Sequence, residues 1–255
     1  MPDRLVLVHG FTQTGRSWAP VLPLLPADVE VVTPDLPGHG TRADVRADLA
    51  EAARLVGEDG GRATYVGYSM GGRVALTLAL EQPDLVERLV LVSASAGIED
   101  DDDRTARREA DDELAAAIEA EGVDAFLEEW LAQPLFASLP RERAGLEARR
   151  ENTAAGLASA LRLLGQGSME PQWRRLFNLR MPVLVVAGEL DEAYCVQAVH
   201  LGGWMGEVAT LALVPGAGHA CHLEQPGRFA ALLTSFLAEG HDDHEGHDHE
   251  HDHEH

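Results

Sequence analysis

Ser69, Asp191 and His219 lie far apart in the chain, yet their side chains could together turn a hydroxyl into a base or a nucleophile. A serine hydroxyl is inert near neutral pH until an imidazole takes its proton. The imidazole in turn needs a carboxylate to fix its tautomer and to stabilise it once charged. Ser69 stands in Val66-Gly67-Tyr68-Ser69-Met70-Gly71-Gly72, where a strand-like run becomes a helix-like one. Ala63, Tyr65 and Val66 read as a short buried strand, and Val74, Leu76, Leu78 and Leu80 belong to the dense apolar run of a helix packed on a sheet. The backbone must reverse within a few residues, which strains the central one and crowds its neighbours, so Gly67 and Gly71 sit two places to either side. That is the pattern of a nucleophile elbow, G-x-S-x-G, with the hydroxyl above the sheet edge and a helix N-terminus aimed at the same spot. The pentapeptide also fits a glycine-rich turn whose serine merely caps the helix.

The elements around these residues decide whether they can meet. Leu5 to Val8 is an all-aliphatic run suited to a central parallel strand covered on both faces, and it ends in His9-Gly10-Phe11-Thr12. Open α/β sheets place ligands at the carboxyl ends of such strands, so the backbone N–H groups of Phe11 and Met70 are candidates for an oxyanion hole. Val29 to Thr33 reads as the next strand, closed by the rigid loop Pro34-Asp35-Leu36-Pro37-Gly38-His39-Gly40, in which His39 is expected to brace backbone rather than react. Asp44 to Val56 reads as an amphipathic helix and Leu89 to Val92 as a further strand. This alternation predicts an α/β fold, a mostly parallel central sheet with helices on both faces.

From Glu99 to about Trp173 the strand pattern disappears. Helical stretches are predicted at Arg104 to Glu121, Val123 to Ala132, Arg141 to Asn152 and Thr153 to Leu164, so residues 98–173 are expected to be a helical lid inserted into a core formed by 1–97 and 174–240. The sheet resumes at Val183 to Ala187; Thr210 to Val214 is its last strand, and Gly227 to Leu237 a closing helix. Asp191 and His219 then each follow a strand, and one helix and one strand fit between them, which brings both loops to one sheet edge. Four rivals fall away: Glu189 is too close to its strand, His222 is a helper or an exposed neighbour, His200 lies within a helix, and His9 comes too early.

Composition narrows the function classes. The formal charge is −23, and seven of the acids lie in residues 241–255, leaving 36 acids against 20 bases and a formal −16 for the rest. Such a field repels nucleic acid and anionic membranes, so neither is an expected partner. Every base is arginine and none is lysine, which excludes a Schiff-base or general-base lysine. Two cysteines, no cleavable signal pattern and no apolar run of ~18 residues point to a cytoplasmic protein. Residues 241–255 carry seven histidines among seven acids and one glycine; they are expected to be a disordered extension, with weak divalent-metal binding as the alternative.

Taken together, His9-Gly10-Phe11-Thr12, Asp35-Leu36-Pro37-Gly38-His39-Gly40 and Gly67-Tyr68-Ser69-Met70-Gly71-Gly72-Arg73 resemble the α/β-hydrolase superfamily, whose triad follows the chain order Ser69, Asp191, His219. In the predicted lid, Trp130 with Gln133-Pro134-Leu135-Phe136-Ala137-Ser138-Leu139, then Arg149 to Asn152 and Gly156-Leu157-Ala158, resembles the 2-succinyl-6-hydroxy-2,4-cyclohexadiene-1-carboxylate synthases of menaquinone biosynthesis. The resemblance implies a lyase with no metal or organic cofactor, whose triad acts as base on a bulky anionic carboxylate and eliminates pyruvate. It also implies that Arg73, Arg107 and Arg149, with Arg150 as a one-residue alternative to the last, bind carboxylates, and that Tyr68 and Trp130 are aromatic members of the pocket. The chain departs from that family after Asp191, where Glu192-Ala193-Tyr194 replaces a basic residue and phenylalanine. The alternatives are a serine esterase, thioesterase or carbon–carbon bond hydrolase of the same fold, and a catalytically idle interaction protein acting through its tail.

Overall fold

The computed structural model describes residues 4–238; the His- and acid-rich stretch 241–255 lies outside the described residues. Six strands, β1 (Arg4–Val8), β2 (Glu30–Val32), β3 (Ala63–Tyr68), β4 (Val86–Val92), β5 (Val183–Gly188) and β6 (Ala209–Val214), form one sheet in the order β2-β1-β3-β4-β5-β6. Every pairing is parallel. All residues of β3 and of β5 are buried, which explains why these strands read as continuous apolar runs rather than alternating ones. Val8 pairs with Gly67, Tyr68 with Val92 and Gly188 with Val214, so the carboxyl ends of the central strands lie level and their loops converge on one rim.

Two apolar layers cover the sheet. On one face α1 (Leu49–Gly60), α2 (Met70–Glu81) and α7 (Glu192–Met205) contribute Ala52, Val56, Val74, Leu78, Leu201 and Met205. On the other, α9 (Pro226–Ala238) contributes Phe229, Leu233 and Phe236 alongside Trp18. Leu5, Leu7, Leu76, Leu78, Leu89 and Leu91 are fully buried, and each contributes on the order of 2 kcal/mol from apolar surface removed from water.

Between β4 and β5 the chain is helical without a strand. It forms α3 (Asp101–Glu121), α4 (Val123–Leu131), α5 (Leu146–Arg149) and α6 (Ala154–Leu164), with α3 packed along α6. A last short turn, α8 (Cys221–Glu224), precedes α9.

Capping chemistry explains where these elements depart from the periodicity. The first helix begins at Leu49, not Asp44, because the Asp48 carboxylate accepts the Glu51 N–H at 2.9 Å and fixes the start there. Likewise α3 begins at Asp101 instead of Arg104: Asp100 accepts the N–H groups of Asp102 and Asp103, and three acids occupy the positive first turn. The predicted helix from Arg141 to Asn152 is broken into a 3-10 turn at Arg141–Arg143 and the single turn α5, because Gly145 between them takes φ 66°. Strand β4 extends back to Val86, three residues before the predicted Leu89. Among the described residues no helix is long and apolar enough to cross a membrane.

Candidate active site

Ser69 joins β3 to α2 with φ 52° and ψ −111°, a conformation that L-residues rarely adopt. A Cβ on Gly67 would lie 2.4 Å from the carbonyl oxygen of Gly71, and one on Gly71 would lie 2.3 Å from that of Val8. Both flanking glycines are therefore required by close backbone approach. The Ser69 side chain makes no capping bond to α2, so the alternative in which it serves only the helix finds no contact. Its Oγ lies 3.3 Å from His219 Nε2, while His219 Nδ1 lies 2.7 Å from Asp191 Oδ2. With the Nδ1–H donated to Asp191, Nε2 is left as the acceptor for the Ser69 hydroxyl proton.

The loop carrying His219 is held by a residue that the sequence reading missed. The buried Glu224 carboxylate accepts the N–H of Gly218 at 2.7 Å and that of Ala220 at 3.0 Å, holding the backbone of the residues on either side of His219. Ser93 Oγ donates to the His219 carbonyl at 2.9 Å from the other side. A carboxylate five residues after His219 and two before Pro226 was the available signal. Glu224→Ala is expected to slow fluorophosphonate labelling of Ser69 by about 10²-fold through misplacement of the imidazole, with the thermal transition remaining cooperative. Labelling at the wild-type rate would show that the loop holds itself.

A second brace shapes the candidate oxyanion hole. Met70 opens α2, so its N–H has no acceptor one turn back, and Phe11 and Met70 both line the cavity at Ser69. Thr12, at φ 66°, is tied down on three sides: its N–H donates to His39 Nε2 at 3.2 Å, its carbonyl accepts Asn152 Nδ2 at 2.7 Å, and its Oγ1 accepts Arg149 Nη1. His9 works in the same way, its Nε2 accepting the Leu36 N–H at 3.0 Å and its Nδ1–H donating to the Gly10 carbonyl at 2.8 Å. Both imidazoles use one nitrogen as donor and the other as acceptor, which requires the neutral ring. Burial accordingly lowers the pKa of His9 to about 4 and that of His39 to about 3. His222 is not the exposed neighbour that the sequence suggested. Helix α8 turns it inward to full burial, with its ring 4.4 Å from Tyr68 and 4.5 Å from Trp18, and neither nitrogen has a partner among the described residues. Glu189 serves backbone, accepting the Gly216 N–H at 2.9 Å.

Ser69 and His219 open into a cavity of about 400 Å³ between the sheet rim and the helical insertion. Tyr68, Arg73, Arg107, Trp130 and Arg149 all line it. Arg73 is buried on α2; its Nη2 donates to the Leu164 carbonyl at 2.8 Å, and its Nε has no partner. Arg107 on α3 donates to Asp111 at 2.9 Å and to Gln166 at 3.0 Å. Arg149 is buried with its Nε on the Ala144 carbonyl at 2.7 Å, and burial lowers its pKa to about 10, so it remains charged at neutral pH. Its neighbour Arg150 points outward to Asp124 and Glu147, so of the two it is Arg149 that lines the cavity. Trp130 meets Phe11 edge-on at 5.2 Å. Three arginines face a single lining carboxylate, Asp111, in a chain of formal charge −23, so the cavity is a cationic site in an acidic protein. Asp111 and Gln166 line it as well and were not singled out from the sequence; Tyr194, noted there only as a departure from the resembled family, lines it too.

The family model for the alpha/beta hydrolase family matches residues 5–232. The chain belongs to the alpha/beta hydrolase family. This alpha/beta hydrolase is 34% identical to a Bacillus subtilis (strain 168) protein provisionally named 2-succinyl-6-hydroxy-2,4-cyclohexadiene-1-carboxylate synthase, over 92% of this chain and 90% of the relative. It is 32% identical to the Enterobacter sp. (strain 638) protein named for the same synthase, over 91% of each chain. The solved structure of MenH from S. aureus superimposes on this alpha/beta hydrolase with a TM-score of 0.87 and 31% identity, covering 94% of both chains.

Proposed function

We propose that this alpha/beta hydrolase is a lyase that converts 2-succinyl-5-enolpyruvyl-6-hydroxy-3-cyclohexene-1-carboxylate to 2-succinyl-6-hydroxy-2,4-cyclohexadiene-1-carboxylate with loss of pyruvate. The observation that carries the reading is the set of three arginines around the cavity into which Ser69 and His219 open. A substrate with three carboxylates needs such cations, whereas a neutral ester would leave the buried guanidinium groups of Arg73 and Arg149 without an anion to bind. The full-length similarity to relatives named for this synthase supports the same assignment.

In this reading His219 Nε2 draws the proton from Ser69 Oγ, and Asp191 holds the imidazole and stabilises its charged form. The activated hydroxyl removes the ring proton beside the succinyl ketone. The new double bond forms at that carbon, the existing one shifts along the ring, and the carbon–oxygen bond to the enolpyruvyl group breaks; the released enol becomes pyruvate by taking up a proton. The N–H groups of Phe11 and Met70 receive the negative charge that builds on the ketone oxygen. Arg73, Arg107 and Arg149 bind carboxylates, Tyr68 and Trp130 shape the apolar walls, and helices 98–173 act as the lid. A cytoplasmic location accords with the two free cysteines, Cys195 and Cys221.

Pyruvate release from this substrate, wild type beside Arg73→Ala, tests the reading. Wild type is expected to turn over, and the variant to lose about 10- to 100-fold in kcat/KM, the worth of one charged hydrogen bond. A wild-type protein that ignores the substrate and rapidly hydrolyses small neutral esters would instead be a serine hydrolase.

A further inference from the structure

Tyr194 enters the cavity from the first turn of α7, three residues after Asp191, and its backbone N–H donates to Asp191 Oδ1 at 3.3 Å. Its ring lies 4.5 Å from that of His219, tilted by 57°. Among the described residues no hydrogen bond uses its hydroxyl, although the residue lines the cavity. Burial raises the phenol's pKa, while the positive charges of Arg73 and, next, Arg107 oppose that rise. The phenol therefore keeps its proton at neutral pH, and Tyr194 lines the same cavity as those two arginines. Arg73 and Arg107 are both anchored on the segment Leu164–Gln166, through the Leu164 carbonyl and the Gln166 side chain, whereas Arg149 is anchored on the Ala144 carbonyl and the Thr12 hydroxyl. The cavity thus holds two cationic groups, and Tyr194 lines it with them.

We propose that the Tyr194 hydroxyl is a third donor to the substrate carboxylate bound by Arg73 and Arg107, and that it sets which acid-bearing substrates the cavity accepts. The inference rests on the proposed lyase reading for its substrate, but on the cavity alone for its geometry. A carboxylate presents about four lone-pair sites, and two arginines that already spend donors on Leu164, Asp111 and Gln166 leave room for a neutral hydroxyl. A phenol adds a donor without adding charge, so it discriminates by direction as well as by attraction. Because the same ring backs His219, the carboxylate it holds is fixed relative to the base.

Tyr194→Phe removes the hydroxyl and keeps the ring. The expected result is a rise of about tenfold in KM for pyruvate release, with kcat within threefold of wild type and both the thermal midpoint and the rate of fluorophosphonate labelling of Ser69 unchanged. A KM within twofold of wild type overturns the proposal. So does an equal fall in kcat and in labelling rate, which would make the ring a support for His219 and nothing more. Equilibrium dialysis of 2-succinylbenzoate, an aryl dicarboxylate that cannot react, separates this proposal from the lyase reading. Should wild type release no pyruvate yet bind this probe about tenfold more tightly than Tyr194→Phe, the clamp stands and the reaction assignment falls. Equal affinities, or no binding by wild type, overturn the clamp.

Discussion

His219→Ala is expected to lower kcat for pyruvate release by about 10³- to 10⁴-fold, with Ser69→Ala of similar size and the double variant little worse than either. The reason is geometric. Ser69 Oγ is 3.3 Å from the only imidazole among the described residues placed to accept its proton, and that imidazole is oriented by Asp191 at 2.7 Å. Asp191→Asn belongs to the same unit: an amide that offers its NH₂ to Nδ1 would favour the tautomer with the proton on Nε2, leaving Ser69 without a base. Its loss should also be about 10³-fold or more, with KM nearly unchanged, because none of the three side chains is asked to bind a carboxylate. Single-turnover pyruvate release measures all four proteins. Additive losses in the double variant would show that Ser69 and His219 do not act as one unit.

Acid should unfold the protein through its buried histidines. His9, His39 and His222 have pKa values lowered to about 4, 3 and 3, in each case chiefly by burial, against about 6.5 in the unfolded chain. Each is neutral in the fold and takes up a proton on unfolding. Their contribution is therefore fully present above pH ~6.5 and is lost as pH falls towards the folded values. Near pH 5 unfolding should take up close to three protons from these groups, so stability should fall by roughly 4 kcal/mol per pH unit. Urea melts between pH 7 and pH 4.5 measure that slope. His222→Phe should remove about one proton from it, since this ring makes no hydrogen bond and packs among Trp18, Tyr68 and Phe229. A slope below one proton would mean that these rings are not held neutral, and the brace of Thr12 by His39 would have to be reconsidered.

The glycines around Ser69, the aliphatic strands and the placement of Asp191 and His219 after strands were legible in the sequence because each is dictated by local physics. A tight strand-to-helix turn excludes side chains, a doubly covered parallel strand is apolar throughout, and helix starts are written in their caps. Where the caps were overlooked, at Asp48 and Asp100, the predicted boundaries slipped by a few residues. Gly145 split a stretch whose periodicity alone reads as one helix.

Only the tertiary structure decided which polar side chains face inward. Arg149 and Arg150 are adjacent and chemically identical; their fates differ because the single turn of α5 aims one at Thr12 and Ala144 and the other at Asp124 and Glu147 on the surface. Asp111 takes Arg107 one turn back on its own helix, but Gly167, which also donates to it, and His219, which meets the Tyr194 ring, are brought near only by the fold. Periodicity records how often a face is apolar, not what stands opposite it. The sequence by itself therefore determined the sheet, the elbow and the order of the triad, while the cationic cavity and its supports exist only because segments distant in the chain meet above one rim of that sheet.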